Sequence, residues 1–435
     1  MMRKFANLFL LLFTVSALTG IADQLAQLFL STHIFTGLSQ LVWRASLFSA
    51  VIVYLGFAFN RHLPKVILLP LFIWLFWALV GYWPLETIGG SYSQLYLACG
   101  QLLLVALLLK LNRQLNHKSL LFTHSQFAGS SFSGKTFLCF SLLNILVIPI
   151  ALALISFSFV GNLIKTNTAG FVQLKPNGLY MTERIYQRDD KQIRLVGMIH
   201  LGEEEYYDDL VTSISGHQTL ILAEGVSDVG NLLTERFSYG KLAGLLGLTS
   251  QEGVHFPGKL IDAADLDEVK DTNQNTPDIL RADIDLQQFD PRTLEVLNAL
   301  AKYLLNAKSP LAGYAAFNRW ADEHFDPDLN SIVMTDLIAK RNRSVLSYLP
   351  KALTKYDIVV IPWGALHMQG IEKAVLKEGF QLKQSHNRLS IDFSALPYRQ
   401  LWKKLRSAPK RSAADEKRLS VMVFQSPTID QEQQC

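Results

Sequence analysis

Cysteine is scarce. Three cysteines among 435 residues cannot build a disulfide scaffold, and Cys99 and Cys139 fall inside apolar runs. Cys435 sits at the C-terminal end, so the polar half of the chain has no internal pairing except through it. That suits an oxidising compartment without demanding one. Charge is scarce too: 18% of residues are Asp, Glu, Lys or Arg, and the net charge is +4. No basic stripe interleaved with aromatics runs through the polar half, which removes nucleic acid as an expected partner. The acidic stretches DAADLDEVKDTNQNTPD and RADID carry Asp262, Asp265, Asp267, Glu268, Asp283 and Asp285. They lack the spacing and glycine of a calcium loop and read as solvated loops.

Apolar residues are abundant, at 49%, and are concentrated at the front. Phe5 to Leu30, Leu41 to Phe59, Val66 to Trp83, Leu95 to Leu109 and Phe137 to Val160 are nearly unbroken apolar runs. A helix crossing a bilayer needs about 20 such residues. Five spans are expected, although Asp23 interrupts the first and the fourth is short. Arg3 and Lys4 precede span one, Arg61 and Lys65 join spans two and three, and Lys110, Arg113, Lys118 and Lys135 lie between spans four and five. The other two loops hold no Lys or Arg, although Arg44 lies near the outer end of span two. Basic residues in short loops mark the cytoplasmic side. The expected topology has a cytoplasmic N-terminus and everything beyond Gly161 outside. A basic start and an apolar core also fit a signal peptide cleaved after Ala22, which leaves the remaining topology unchanged. The expected setting is a bacterial inner membrane, with the bilayer as a partner and the C-terminal domain in the periplasm. The expected domains are residues 1–161 in the membrane, an α/β domain over 162–395 and a basic polar tail over 396–435.

GSSFSGKT, Gly129 to Thr136, matches the phosphate-loop pattern G-x-x-x-x-G-K-[ST]. Such a loop needs a strand before it and a soluble α/β domain around it. Here an apolar span opens at Phe137, and the whole inner loop is about 25 residues, far short of a domain. A basic loop ending at a membrane helix is the expected structure.

Beyond residue 162 the pattern changes. GLYMTERIYQ and KQIRLVGMI flank the turn Arg188-Asp189-Asp190, a hairpin signal. Tyr206, Tyr207, Leu210, Val211 and Ile214 follow at helical spacing, Gly216 closes the helix, and TLILAE reads as a buried strand. This β-α-β unit predicts two parallel neighbouring strands. NLLTERFSYGKLAGLLGL reads as helical, and clearer helices are expected at Thr293–Ala307, Leu311–Glu323 and Leu329–Leu349. DIVVIP, another helix and the strand FQLK form a second unit. The expected fold is a mostly parallel sheet built from two strand-GxxH-helix-strand units with a helical insert between them. Ligands bind such sheets beyond the carboxyl ends of their strands.

Both units place Gly-x-x-His at that end: GMIH, Gly197 to His200, and GALH, Gly364 to His367. With 26 Gly and 10 His, chance gives about 0.6 such matches, so their shared context matters more than the strings. Glu224 ends the strand after the first motif. Two imidazoles from His200 and His367 and the Glu224 carboxylate would make a two-nitrogen, one-oxygen site for a divalent ion that lowers the pKa of bound water. Arg341 would stabilise an oxyanion, and Asn342 would orient a ligand or a histidine. The competing structural reading pairs Glu224 with Arg341 and leaves the histidines bonded to backbone. Glu203, Glu204 and Glu205 suit a helix N-terminus, with Glu203 an outside candidate for a general base. His217, His255, His324 and His386 have no motif around them. The basic run RQLWKKLRSAPKRSAADEKR reads as a solvated tail, with anionic headgroups as the sharper alternative.

GMIH, LAEG with Glu224, AKRNRSVL with Arg341 and Asn342, and GALH followed by MQGIEKAVLKEGF together resemble the TraB/GumN/TIKI superfamily. The likeness extends more distantly to erythromycin esterase and ChaN-like proteins. Met198 departs from the small polar residue common there. The match covers roughly Gly178 to Lys383 and leaves out the spans and the tail. TIKI members are divalent-metal-dependent proteases of secreted signalling proteins, TraB-like members act in peptide-pheromone shutdown, and ChaN-like proteins bind haem. The resemblance therefore implies a peptidase using Mn, Co or Zn on a peptide or protein outside the cytoplasm. The alternative is a non-catalytic receptor or sequestering module for a peptide or haem-like ligand.

Overall fold

The computed structural model describes residues 1–81, 92–115, 118–214, 216, 218–235, 239–251, 254–266, 276–307 and 310–400. His217, the acidic pair Asp267 and Glu268, and the tail beyond residue 400 lie outside them. The chain divides into two compact units, Met1–Asn162 and Leu163–Cys435.

The first unit is helical: α1 (Met2–Leu30), α2 (Thr36–Phe59), α3 (Lys65–Leu79), α4 (Ser93–Leu115) and α5 (Gly134–Asn167), the last ending past the unit boundary. All but α3 are long and apolar enough to cross a membrane. The third run yields only 15 helical residues, fewer than the roughly 20 a crossing takes, and residues 82–91, into which that span was expected to run, lie outside the described set. Phe9, Phe13, Leu68 and Leu71 are fully buried between these helices. In α5 only Asn144 is buried, and it accepts a hydrogen bond from the Tyr54 hydroxyl at 2.7 Å. So much exposed apolar helix is stable against lipid tails, not water. Before α5, Gly129 to Thr136 follows a short 3₁₀ turn, Ser125–Phe127, rather than a strand. Its Ser130 and Ser131 carbonyls bond His62 and Arg61.

The second unit is α/β. Its elements are β1 (Val172–Lys175), β2 (Gly178–Arg188), β3 (Lys191–Met198), β4 (Leu201–Gly202), α6 (Glu204–Ser213), β5 (Thr219–Ala223), α7 (Gly240–Leu246), β6 (Thr249–Ser250), β7 (Lys259–Ile261) and β8 (Asp278–Arg281). The insert contributes α8 (Pro291–Leu300), α9 (Pro310–His324), α10 (Leu329–Met334) and α11 (Arg341–Lys355), and the chain continues through β9 (Ile358–Gly364), α12 (Ala365–Lys377) and β10 (Gln381–Asp392). The sheet has eight strands in the order β1-β2-β3-β9-β5-β8-β7, with β10 on β2. The pairs β3/β9, β9/β5, β5/β8 and β8/β7 are parallel, and β2 is antiparallel to β1, β3 and β10.

Three expectations need correction. The strands β3 and β5 are not neighbours, because β9 lies between them and is parallel to both. Its run Val359-Val360-Ile361 is fully buried, as suits a central strand covered on both faces. The second unit does not end in a parallel strand. Gly379 adopts a left-handed φ of 86°, and β10 returns antiparallel along β2. The helix expected over Asn231–Leu248 shrinks to α7 among the described residues, because Asp228 takes the backbone N–H groups of Leu232 and Leu233 in a loop.

Candidate active site

The parallel register carries both Gly-x-x-His motifs to one edge, since Met198 of β3 stands opposite Gly364 of β9. On the other side of β9 the sheet opens. β5 pairs with β9 only over Thr219–Ile221. Beyond that ladder stands Pro362, which has no N–H to offer. The Trp363 indole donates instead to the Leu222 carbonyl at 2.9 Å. Glu224 enters this gap, and its Oε2 accepts the Gly364 N–H at 2.6 Å.

Four expected residues meet there. Arg341 Nη2 donates to Glu224 Oε1 at 2.7 Å, and Nη1 lies 3.2 Å from His367 Nε2. His367 Nδ1 lies 2.7 Å from Asn342 Oδ1, while Asn342 Nδ2 donates to the His367 carbonyl at 3.2 Å. With Asn342 Oδ1 accepting, Nδ1 carries the proton and Nε2 presents its lone pair to Arg341. Trp363 packs edge-on against the His367 ring at 5.1 Å. Burial dominates and, with the Arg341 charge, lowers the His367 pKa to about 4 against the opposing pull of Glu224 and Asp283. His367 is therefore neutral at pH 7.

The fifth expected residue, His200, stands apart. Its ring is exposed and stacks on Tyr239 with centroids 4.9 Å apart. Glu203 caps a different feature, accepting the Asp392 N–H at 2.7 Å, and Glu204 and Glu205 occupy the first turn of α6.

Asp283 does not lie in a solvated loop, contrary to the expectation from its sequence context. Its side chain is 1% exposed and pairs with Arg341 Nη2 at 2.6 Å. Arg341 Nε also donates to it at 3.0 Å, and the Gly225 N–H does so at 3.0 Å. Burial works against the Arg341 charge, but Asp283 and Glu224 outweigh it and raise the guanidinium pKa. The signal was position. Ala223 of β5 stands opposite Arg281 of β8, so Glu224 and Asp283 leave adjacent parallel strands at the same edge. Asp285 is engaged by Ser227 Oγ and the Val229 N–H, and these hydrogen bonds, led by the Gln287 N–H, lower its pKa.

Among the described residues no group of three or more His, Cys, Asp and Glu is placed to hold a metal ion. The Nε2 lone pair and Glu224 Oε1 are both occupied by Arg341. No protein-family model, curated protein or solved structure matches this chain.

Proposed function

We propose that the chain is a membrane-anchored hydrolase of TraB/GumN/TIKI type, acting outside the cytoplasm on a carbonyl group of a peptide or protein. One observation carries the reading: the linked set Asn342–His367–Arg341–Glu224/Asp283 at the carboxyl edge of a parallel sheet, the edge at which β3 ends just before the exposed His200. The resemblance of the motifs supports it.

The roles follow from the bonds. Arg341 has five N–H hydrogens. Nε–H goes to Asp283, the two on Nη2 go to Glu224 and Asp283, and one on Nη1 goes to His367. One Nη1 hydrogen is left, among the described residues, to meet an oxyanion. His200 is the base: it takes a proton from water as the water oxygen attacks the carbonyl carbon. The tetrahedral intermediate then expels the amine, which takes that proton from His200, giving a carboxylic acid and an amine.

The test is hydrolysis of a mixed peptide library by the full chain in detergent micelles. His200→Ala is expected to keep its fold, because the ring is exposed, and to lower turnover by roughly 10²–10⁴-fold. Turnover unchanged in His200→Ala overturns the assignment. Saturable binding of a peptide or haem without any turnover moves the protein to the receptor reading.

A further inference from the structure

We propose that the Arg341 guanidinium holds the position of a divalent cation in this site, making it a metal-free counterpart of a carboxylate–imidazole centre. His367 Nε2 and Glu224 Oε1 are 3.6 Å apart. Two ligand atoms at about 2.1 Å from a tetrahedral ion are separated by about 3.4 Å, so the pair has close to the span an ion would need. Arg341 directs its two terminal nitrogens at these same atoms, with Nη1 3.2 Å from Nε2 and Nη2 2.7 Å from Oε1.

The surroundings favour the guanidinium. Asn342 keeps the proton on Nδ1, so Nε2 must accept. Asp283 grips the guanidinium through Nε and Nη2, an arrangement that a point-like ion cannot reproduce. Trp363 lies under it at 5.4 Å. The third ligand expected from the sequence, His200, is not among the groups that Arg341 engages; its ring stacks on Tyr239. An ion entering here would have to expel a half-buried cation from two carboxylates, a cost that loading a ready-made site does not carry.

Removing the guanidinium should uncover the donors. The experiment titrates the untagged, metal-stripped full chain in detergent with Zn²⁺ and with Mn²⁺, read by calorimetry and by metal content after gel filtration. Wild type is expected to retain no stoichiometric metal. Arg341→Ala is expected to gain a binding isotherm that wild type lacks, and Arg341→Ala with His367→Ala to lose it again. Arg341→Lys keeps a positive charge beside both donors, though not the guanidinium fork, and is expected to gain no isotherm. Arg341→Gln, which removes the charge but keeps a polar side chain, is expected to gain the isotherm and keeps the test decisive if the Ala variant fails to fold. One equivalent of metal on wild type, lost in His367→Ala, overturns the proposal. A folded Arg341→Ala that binds no better than wild type overturns it as well. Turnover is not the readout, so failure of the hydrolase reading leaves this result interpretable.

Discussion

With both ring nitrogens engaged, His367 is held neutral, and this ties stability to pH. Its pKa is about 4 in the folded chain against an ordinary 6.5. Between those values the unfolded chain binds a proton that the folded chain does not, so stability rises with pH across the window and is flat above it. The contribution is complete above 6.5 and is lost as pH falls towards 4. The loss at the bottom is on the order of 3 kcal/mol. His367→Gln should therefore show a shallower fall of Tm over that window than wild type, by calorimetry. Equal slopes would mean that the ring is not buried neutral. Its partner is set just as closely: a Cβ on Gly370 would lie 2.5 Å from Asn342 Nδ2. Glycine at that position is what lets the amide reach the His367 carbonyl.

Arg341 and Asn342 are consecutive, yet they serve different nitrogens of one ring. The π-helical turn Thr335–Lys340 immediately before them sets their phase, a distortion that recurs at functional sites. Asp336 pins it. Its side chain is 2% exposed and bonds Lys340 at 2.6 Å, and it accepts from Thr293 Oγ1 at 2.6 Å and the Asp290 N–H at 2.7 Å. Burial opposes its charge, but these partners prevail and lower its pKa. Asp336→Ala is expected to cost about 3 kcal/mol in urea unfolding and to reduce turnover through a displaced Arg341. A loss below about 0.5 kcal/mol would place it with ordinary surface substitutions. No sequence pattern announced this turn, because 3.6-residue periodicity tolerates one extra residue over so short a stretch. Elements were legible where apolar runs met glycine. The helix after His200 and the strand at Val359 followed that rule, and the hairpin β2/β3 was legible from its turn Arg188-Asp189-Asp190. Strand order was not legible: pairing β9 between β3 and β5 joins residues far apart in sequence, and local pattern carries no record of it. Glu224, Arg341, Asn342 and His367 were legible through motif context. Asp283 was not, because a buried acid and a solvated one are written with the same letter, and only the register of β8 against β5 separates them.

The topology of the whole molecule turns on α3. Four helices are long enough to cross, and α3 has 15 residues, about 22 Å of helix against a hydrocarbon core of about 30 Å. Parity depends on it. If α3 crosses, the basic loop holding Lys110, Arg113, Lys118 and Lys135 shares a side with Arg3 and Lys4, and the two ends of the chain lie on opposite sides. If α3 does not cross, that basic loop is placed opposite the N-terminus, and both ends share a side. Lysine and arginine favour the cytoplasmic face in short loops, so a crossing α3 is the expected arrangement, accommodated by local thinning of the bilayer. Only then does the α/β unit reach substrates outside the cytoplasm, as the hydrolase reading requires. Alkaline phosphatase joined after Gly161 should be active in a bacterial host, whereas the same reporter after Lys118 should be inactive. Green fluorescent protein at the two positions should give the opposite result, since it folds in the cytoplasm. Phosphatase activity after Lys118 with none after Gly161 would place the α/β unit inside the cell and remove secreted substrates from consideration. The Arg341 site would keep its chemistry but would have to act on a cytoplasmic carbonyl compound.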